Sequence, residues 1–260
     1  GLIVIINMKG GNILLEIKAD LHTHTVSSGH AYSTITEMAN AARQKGIDLL
    51  AMTDHGPNLP GGPHIYHFGN INAIPEYIQG VKILKGIEAN ILEEGRLDLS
   101  EDKLKFLDFV AAGLHGNTGH KLKDKKDFTE ATIRAIENPL VDMITHPSNL
   151  EYPIDFEKIV EAAAQYNVIL ELNASSFRKD KIGKRGNIEK SIQLAKLAKK
   201  YNVLLSLNSD AHFHTNVGDI LPLKYIIDKA KITEKNIVNS SSKKVLNFLY
   251  PSSNKQFNIV

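Results

Sequence analysis

The chain has 260 residues, 42% of them hydrophobic and 23% charged. That is enough to bury one large core, and a barrel of about 250 residues is routinely a single domain. Lys+Arg 31 against Asp+Glu 29 leave a net charge of +2, too small for a general attraction to nucleic acid. There is no cysteine but there are 11 histidines, so disulfides and thiolate metal sites are excluded and any metal must be held by His, Asp or Glu.

The opening apolar run, residues 1–6, lacks a basic leader and stops at Asn7. It is read neither as a signal sequence nor as a bilayer span. Residues 1–11 are expected to form an N-terminal extension, an extra strand being one form of it, and residues 12–260 a single domain. No other stretch approaches membrane length, so no membrane partner is expected and the cytoplasm is the expected location.

From there apolar runs alternate with helical patterns. The first strand is predicted over 13–21 and leads into His22-Thr23-His24; a helix follows over 36–45, with Gly46 as its stop. Strand two, 48–52, ends in Thr53-Asp54-His55-Gly56. A loop with Pro57, Pro60, Gly61, Gly62 and Pro63 comes next, then a helical pattern over 71–79. Strand three, 81–87, delivers Glu88. A short helix (104–107) precedes strand four (109–114), which delivers His115. A helix over 129–137 precedes strand five (141–145), which delivers His146-Pro147. A helix over 156–166 precedes strand six (168–172), which delivers Asn173. A helix over 188–201, lysine-rich on its outer face, precedes strand seven (203–207), which delivers Asn208-Ser209-Asp210-Ala211-His212. The tail from Ser240 to Leu249 reads as an N-cap and a closing helix. Alternating strands and helices imply a parallel sheet, and strands apolar throughout imply burial on both faces. Seven such units predict an α/β fold, a distorted TIM-like (β/α)7 barrel whose metal site lies at the C-terminal ends of the strands.

His22 and His24 are two apart on a strand, project to the same side and can grip one metal ion. Alone, the pair is as readily a hydrogen-bonded strand pair. Asp20 falls on the same side as an orienting neighbour. Six further runs end on metal-binding or polar residues, and burying so many imidazoles and acids without an ion is costly. The pattern therefore reads as a metallohydrolase. Glu88 is the only acid ending strand three, and its two oxygens can bridge two cations; Asp210 and His212 are spaced to serve neighbouring metals. An all-His site suits zinc, and mixed His and carboxylate sites also admit iron or manganese.

The motifs Asp20-Leu21-His22-Thr23-His24-Thr25, Thr53-Asp54-His55-Gly56, Gly86-Ile87-Glu88-Ala89-Asn90, His115, His146-Pro147 and Ser209-Asp210-Ala211-His212 occur in this order. They resemble those of the PHP (polymerase and histidinol phosphatase) family, in particular its stand-alone bacterial YcdX-type phosphatases. The likeness runs from about Ile17 to Leu249 and takes in His30-Ala31-Tyr32-Ser33-Thr34, His64-Ile65-Tyr66-His67-Phe68 and Asn173-Ala174-Ser175-Ser176-Phe177. The resemblance implies three divalent metal ions, zinc first, with iron or manganese as alternatives. One would take His22, His24, Glu88 and Asp210; a second would share Glu88 and add His115 and His146; the third would take His30, His55 and His212. It further implies hydrolysis of a small phosphate monoester by a hydroxide bridging two metals. The third metal would offset charge on the phosphate, and Glu88, Asp210 and His212 would be the catalytic residues. The resembled phosphatases form trimers, which makes a homo-oligomer an expectation.

Four further residues are candidate substrate contacts: His64 and His67 in the loop after strand two, and Asn173 and Arg178 after strand six. The histidines are equally an exposed loop. Arg178 offers a bidentate phosphate contact, or is a surface arginine. Asp54 is an orienting or a turn residue, His120 belongs to a solvated loop, His214 to the rim, and residues 179–185 to a solvated basic loop. Three rival functions stand beside the phosphatase: a nuclease or nucleotide phosphatase, since related domains accompany DNA polymerases; an amidohydrolase, although those enzymes bridge metals through a lysine after strand four, where this chain has His115; and a metal-stabilised scaffold without turnover.

Overall fold

The structure is a computed structural model that describes residues 4–8, 11–178 and 186–251. Strands β1 (Val4–Met8) and β2 (Gly11–Leu15) pair antiparallel in a hairpin of their own. The single strand expected over 13–21 is thus two. The chain bends at Lys18, where Lys18 N–H and Ala19 N–H both donate to the carbonyl of Asn239, and β3 (Ala19–Thr23) starts afresh, buried at every position.

Beyond β3 come α1 (Ile35–Gln44), β4 (Leu49–Met52), α2 (Ile65–Gly69), β5 (Tyr77–Ile78), β6 (Val81–Asn90), α3 (Glu101–Leu104), β7 (Phe109–Gly113) and α4 (Lys125–Glu137). They are followed by β8 (Met143–Ile144), α5 (Phe156–Tyr166), β9 (Ile169–Asn173), α6 (Ile188–Lys200), β10 (Leu205–Asn208), α7 (Lys224–Ala230) and α8 (Ser242–Leu249). The order β10-β9-β8-β7-β6-β4-β3 is parallel at every step. A bridge between Thr23 and Ala211 brings the two edges together, so the seven strands form the nearly closed barrel that the alternation predicts. The principal helices start on side-chain caps (Thr34, Asp124, Asp155 and Asn187), each accepting a hydrogen bond from the first turn and each worth about 1 kcal/mol.

One further predicted element is corrected. Residues 71–79 do not form a helix: one 3-10 turn (Ile71–Ala73) is followed by β5, which pairs antiparallel with the start of β6. Pro75 lies inside the run and holds Ile74 extended (φ −76°, ψ 129°), as the residue before a proline prefers. Gln79 and Gly80, both at positive φ, supply the tight hairpin turn. Helix α7 has no counterpart among the predicted elements.

The strands face two cores. Outward side chains such as Leu50, Ile83, Val110, Leu170 and Leu172 pack under the helices. Inward ones (Ala19, Leu21, Leu49, Ala51, Leu84, Phe109, Ala111, Met143 and Ile169) fill the lower barrel with Val245 and Leu249 of α8, which plugs the N-terminal end. Above that layer the interior turns polar, with Glu171, Asn173 and Asn208 all buried.

The seam between β10 and β3 is closed by a side chain. Asn239 Nδ2 donates to the carbonyls of Ala19 (2.9 Å) and Leu207 (2.7 Å), and its Oδ1 accepts from Leu207 N–H (3.0 Å). Asn239→Ala should therefore strand buried backbone groups on both edges and cost about 3 kcal/mol, read as a lower urea midpoint at unchanged slope.

Candidate metal centre

Every barrel strand except β9 ends on, or runs directly into, a candidate ligand. Parallel strands bring these residues to one rim, and Glu88 of β6 lies at their centre with no exposed surface. Its Oε1 is 2.8 Å from His146 Nε2 and 3.2 Å from His115 Nε2. Its Oε2 is 2.9 Å from His55 Nδ1, 3.2 Å from His22 Nε2 and 3.5 Å from His24 Nε2. Asp210 Oδ1 lies 3.3 Å from His24 Nε2, 3.7 Å from His22 Nε2 and 3.3 Å from His212 Nδ1. His30, more exposed, stacks its ring 5.0 Å from His55 and 4.8 Å from His212. All nine candidate ligands thus meet in one cluster.

Three groupings have ligand atoms within 4.8 Å of one another: His22, His24 and Glu88; His55, Glu88 and His115; and His24, His55 and His212. The last differs from the expected His30, His55 and His212 set. His24 occupies the inner corner of that triangle, and His30 approaches it from the solvent side.

The backbone is bent to make the cluster. His146 (φ +32°) and Asp210 (φ +49°) both adopt positive φ, which costs a non-glycine residue energy and persists only where surroundings over-determine it. Gly113 makes room: a Cβ there would meet Thr145 Oγ1 at 2.2 Å and the Cε1 atoms of His115 and His146 at 3.1 Å.

Charges compensate one another across the cluster. Burial works against protonation of His22, but Glu171, Glu88 and Asp210 outweigh it and hold its pKa well above the usual imidazole value. Burial, joined by the neighbouring His55 and His212, holds His24 well below that value. Burial likewise opposes ionisation of Glu88, yet His22, His115 and His55 pull its pKa well below the carboxylate range.

Neighbouring groups set the rings. Ser28 Oγ donates to Asp54 Oδ1 (2.6 Å), so its oxygen is left to accept from His24 Nδ1–H (3.3 Å) and His55 N–H (3.2 Å). The second nitrogen of His24 then carries its lone pair into the cluster. Asp54 also accepts from Thr25 N–H and Oγ1–H, so it orients ligands at one remove. Asp20 acts through the backbone and a hydroxyl. It accepts from His22 N–H, Ser209 N–H, Ser209 Oγ–H and Gly218 N–H, tying β3 to the turn that carries Asp210.

The candidate substrate contacts fare differently. His64 is exposed and caps α2 by accepting from Tyr66 N–H, and His67 Nε2 lies 3.6 Å from Asp54 Oδ2. Asn173 is turned inward and engaged by Glu171, Asp210 and Ser176. Arg178 is paired with Asp219 at 2.5 Å. His214 bonds Ser33 on the rim. His120 is not solvated as expected but half-buried, its ring edge-on to Phe128 and Tyr152. The basic run 179–185 lies outside the described residues.

Sequence reasoning missed Glu171, which is wholly buried and bonded to His22. The one signal for it was an acid inside the apolar run Val168-Ile169-Leu170-Glu171-Leu172.

A nearly closed parallel barrel with a buried histidine and carboxylate cluster on its C-terminal rim defines the class, a metal-dependent barrel hydrolase. The PHP domain model matches residues 20–250, and the chain belongs to that family. It is 46% identical over 242 residues to a probable phosphatase of Thermoanaerobacter sp., covering 93% of this chain and 98% of that one. It is 55% identical over 168 residues to a probable phosphatase of Caldanaerobacter subterraneus, covering 64% and 66%. Among solved structures, histidinol phosphate phosphatase from Lactococcus lactis, complexed with zinc, L-histidinol and phosphate, shares the fold. The TM-score is 0.59 at 19% identity, over 83% of this chain and 94% of that one.

Ser28→Ala should leave the barrel folded but lower metal affinity about tenfold, measured by elemental analysis after dialysis against graded chelator.

Proposed function

We propose that the chain is a metal-dependent phosphatase that hydrolyses phosphate monoesters, and that its cluster holds three divalent cations. The observation that carries the reading is Glu88. This buried carboxylate has five imidazole nitrogens within 3.5 Å, and its Oε2 makes no hydrogen bond among the described residues. Five ring nitrogens from separate parts of the chain converge on two carboxylate oxygens, a donor set that fits a cation, which accepts lone pairs from both. The 46% identical relative, matched over nearly its whole length, is a probable phosphatase, which supports the same activity.

In this reading His22, His24, Glu88 and Asp210 hold one cation, and Glu88, His115 and His146 a second. His55, His212 and His30 hold the third, with His24 beside it. The all-imidazole character of that last set favours zinc, and the mixed sets also suit iron or manganese. When bound, such cations lower the pKa of water toward neutrality, supplying a hydroxide nucleophile, and offset the charge of a phosphoryl group. The chain's own contribution is placement. Glu88 faces both halves of the cluster through separate oxygens, Asp210 spans His22, His24 and His212, and Ser28 with Asp54 fixes the donor nitrogen of His24. A phosphate monoester enters from the rim, where His30, His64 and His67 lie. Of the candidate catalytic residues only His212 is partly exposed, Glu88 and Asp210 being buried beneath it. The nuclease reading lacks comparable support, because a net charge of +2 gives no general hold on a polyanion. Among the described residues no helix is long and apolar enough to cross a membrane.

Metal-loaded protein should hydrolyse p-nitrophenyl phosphate but not amides or lactones, lose activity to a chelator and regain it with zinc or manganese. Glu88→Ala should lower kcat at least about a hundredfold and reduce bound metal. Wild-type turnover and metal content in that variant would overturn the reading.

A further inference from the structure

We infer that Glu171 is a positioning residue common to two cation subsites: it sets the tautomer of His22 and anchors the backbone turn of His146. The inference rests on the metal-centre reading above but not on the phosphatase activity.

Strand β9 alternates. Leu170 and Leu172 face the helices, Ile169 faces the barrel interior, and Glu171 and Asn173 are buried beside the candidate ligands. Four donors surround Glu171. Its Oε1 is met by His22 Nδ1 at 2.8 Å and Asn208 Nδ2 at 3.0 Å, and its Oε2 by His146 N at 2.7 Å and Asn173 Nδ2 at 3.1 Å.

The orientation of both amides is fixed independently. Leu21 N–H can only donate, and it meets Asn208 Oδ1 at 3.1 Å; Ser176 N–H meets Asn173 Oδ1 at 2.9 Å. Both Nδ2 groups must therefore face Glu171. A carboxylate with no proton of its own requires the remaining partner, His22 Nδ1, to donate as well. With Nδ1 held as a donor, the proton His22 gives up to become a ligand is the one on Nε2, which points at His24 Nε2 (3.0 Å) and Glu88 Oε2 (3.2 Å). That is the nitrogen a cation needs.

The second oxygen acts on a different strand. His146 sits at φ +32°, a conformation that must be held by its surroundings, and its N–H bond to Glu171 is one such hold. Its ring meanwhile places Nε2 2.8 Å from Glu88 Oε1. Asn173 extends the same network to Asp210 Oδ2 at 3.2 Å. One carboxylate thus governs a side chain in the first subsite and a backbone turn in the second.

The two oxygens can be separated by substitution. In Glu171→Gln the backbone N–H of His146 and the Asn173 amide cannot change their roles, so the amide oxygen stays with those two donors and the amide NH2 faces His22 Nδ1, with Asn208 Nδ2 losing its acceptor. His22 must then accept at Nδ1 and carry its proton on Nε2, toward the cation. Glu171→Ala removes both holds.

The test uses full-length protein loaded with zinc. Chelator competition with elemental analysis gives the affinity of each ion, and long-range proton–nitrogen NMR of labelled histidine reads the His22 tautomer. Glu171→Gln should weaken one ion by about ten- to a hundredfold and, in the metal-free form at a pH where the ring is neutral, show His22 protonated at Nε2 and not at Nδ1. Glu171→Ala should weaken two ions, speed hydrogen exchange at the His146 amide and leave the remaining ion unchanged. Wild-type affinities in Glu171→Gln with His22 still protonated at Nδ1 would overturn the inference, and this variant decides alone if Glu171→Ala does not fold. A wild-type count below three would fault the trinuclear reading, while the tautomer and affinity comparison would still judge Glu171.

Discussion

An ionised carboxylate buried without solvent must be compensated, and Glu88 is where this protein meets that demand. Desolvation of a lone buried charge costs several kcal/mol even after relaxation. Here five imidazoles from β3 and from the ends of β4, β7 and β8 close on its two oxygens. Most of the remaining architecture serves that convergence. Parallel strands deliver their C-terminal ends to one rim, and the groups behind the imidazoles turn the correct nitrogen inward.

The barrel interior is divided accordingly. Its lower half is apolar and sealed by α8, which supplies the stability that the upper half spends. The upper half holds Glu171, Asn173 and Asn208 among candidate ligands, with two of those ligands, His146 and Asp210, in left-handed backbone. Such a layer is stable only when every polar atom is satisfied. The hydrogen bonds of Glu171, Asp54 and Asp20 fulfil that condition on three sides of the cluster. The incomplete ladder between β3 and β10 belongs to the same logic. The backbone joins the two edges beside His24 and Asp210, and lower down, at Ala19 and Leu207, Asn239 replaces the missing backbone bonds.

Family membership and geometry reinforce one another without being the same argument. Relatives covering nearly the whole chain carry the phosphatase assignment. The structure adds the neighbours that hold the rings, Glu171 at His22 Nδ1 and Ser28 at His24 Nδ1, and the compact triad that His24, and not His30, makes with His55 and His212.

The ligand positions were legible in the sequence because strand geometry is local. A polar residue at the end of an apolar run lies at the end of a strand, and parallel strands share one rim. His22, His24, His55, Glu88, His115, His146, Asp210 and His212 all followed from that rule. Local spacing was blind to partners far along the chain: Glu171 meets His22 across 149 residues, and Asn239 meets Ala19 across 220. The same blindness left Arg178 open as a phosphate contact, although Asp219 occupies it, and placed His120 in solvent instead of against Phe128 and Tyr152. Pro75 was visible in the sequence, yet only the pairing of β5 with β6 shows what it enforces. The sequence by itself determined the alternating strands, the rim and the candidate ligands gathered there, since these depend on residue type and period. Tertiary structure alone decided how those candidates group and which neighbours His22 and His24 meet at Nδ1, because both depend on contacts between segments that meet only when the barrel closes.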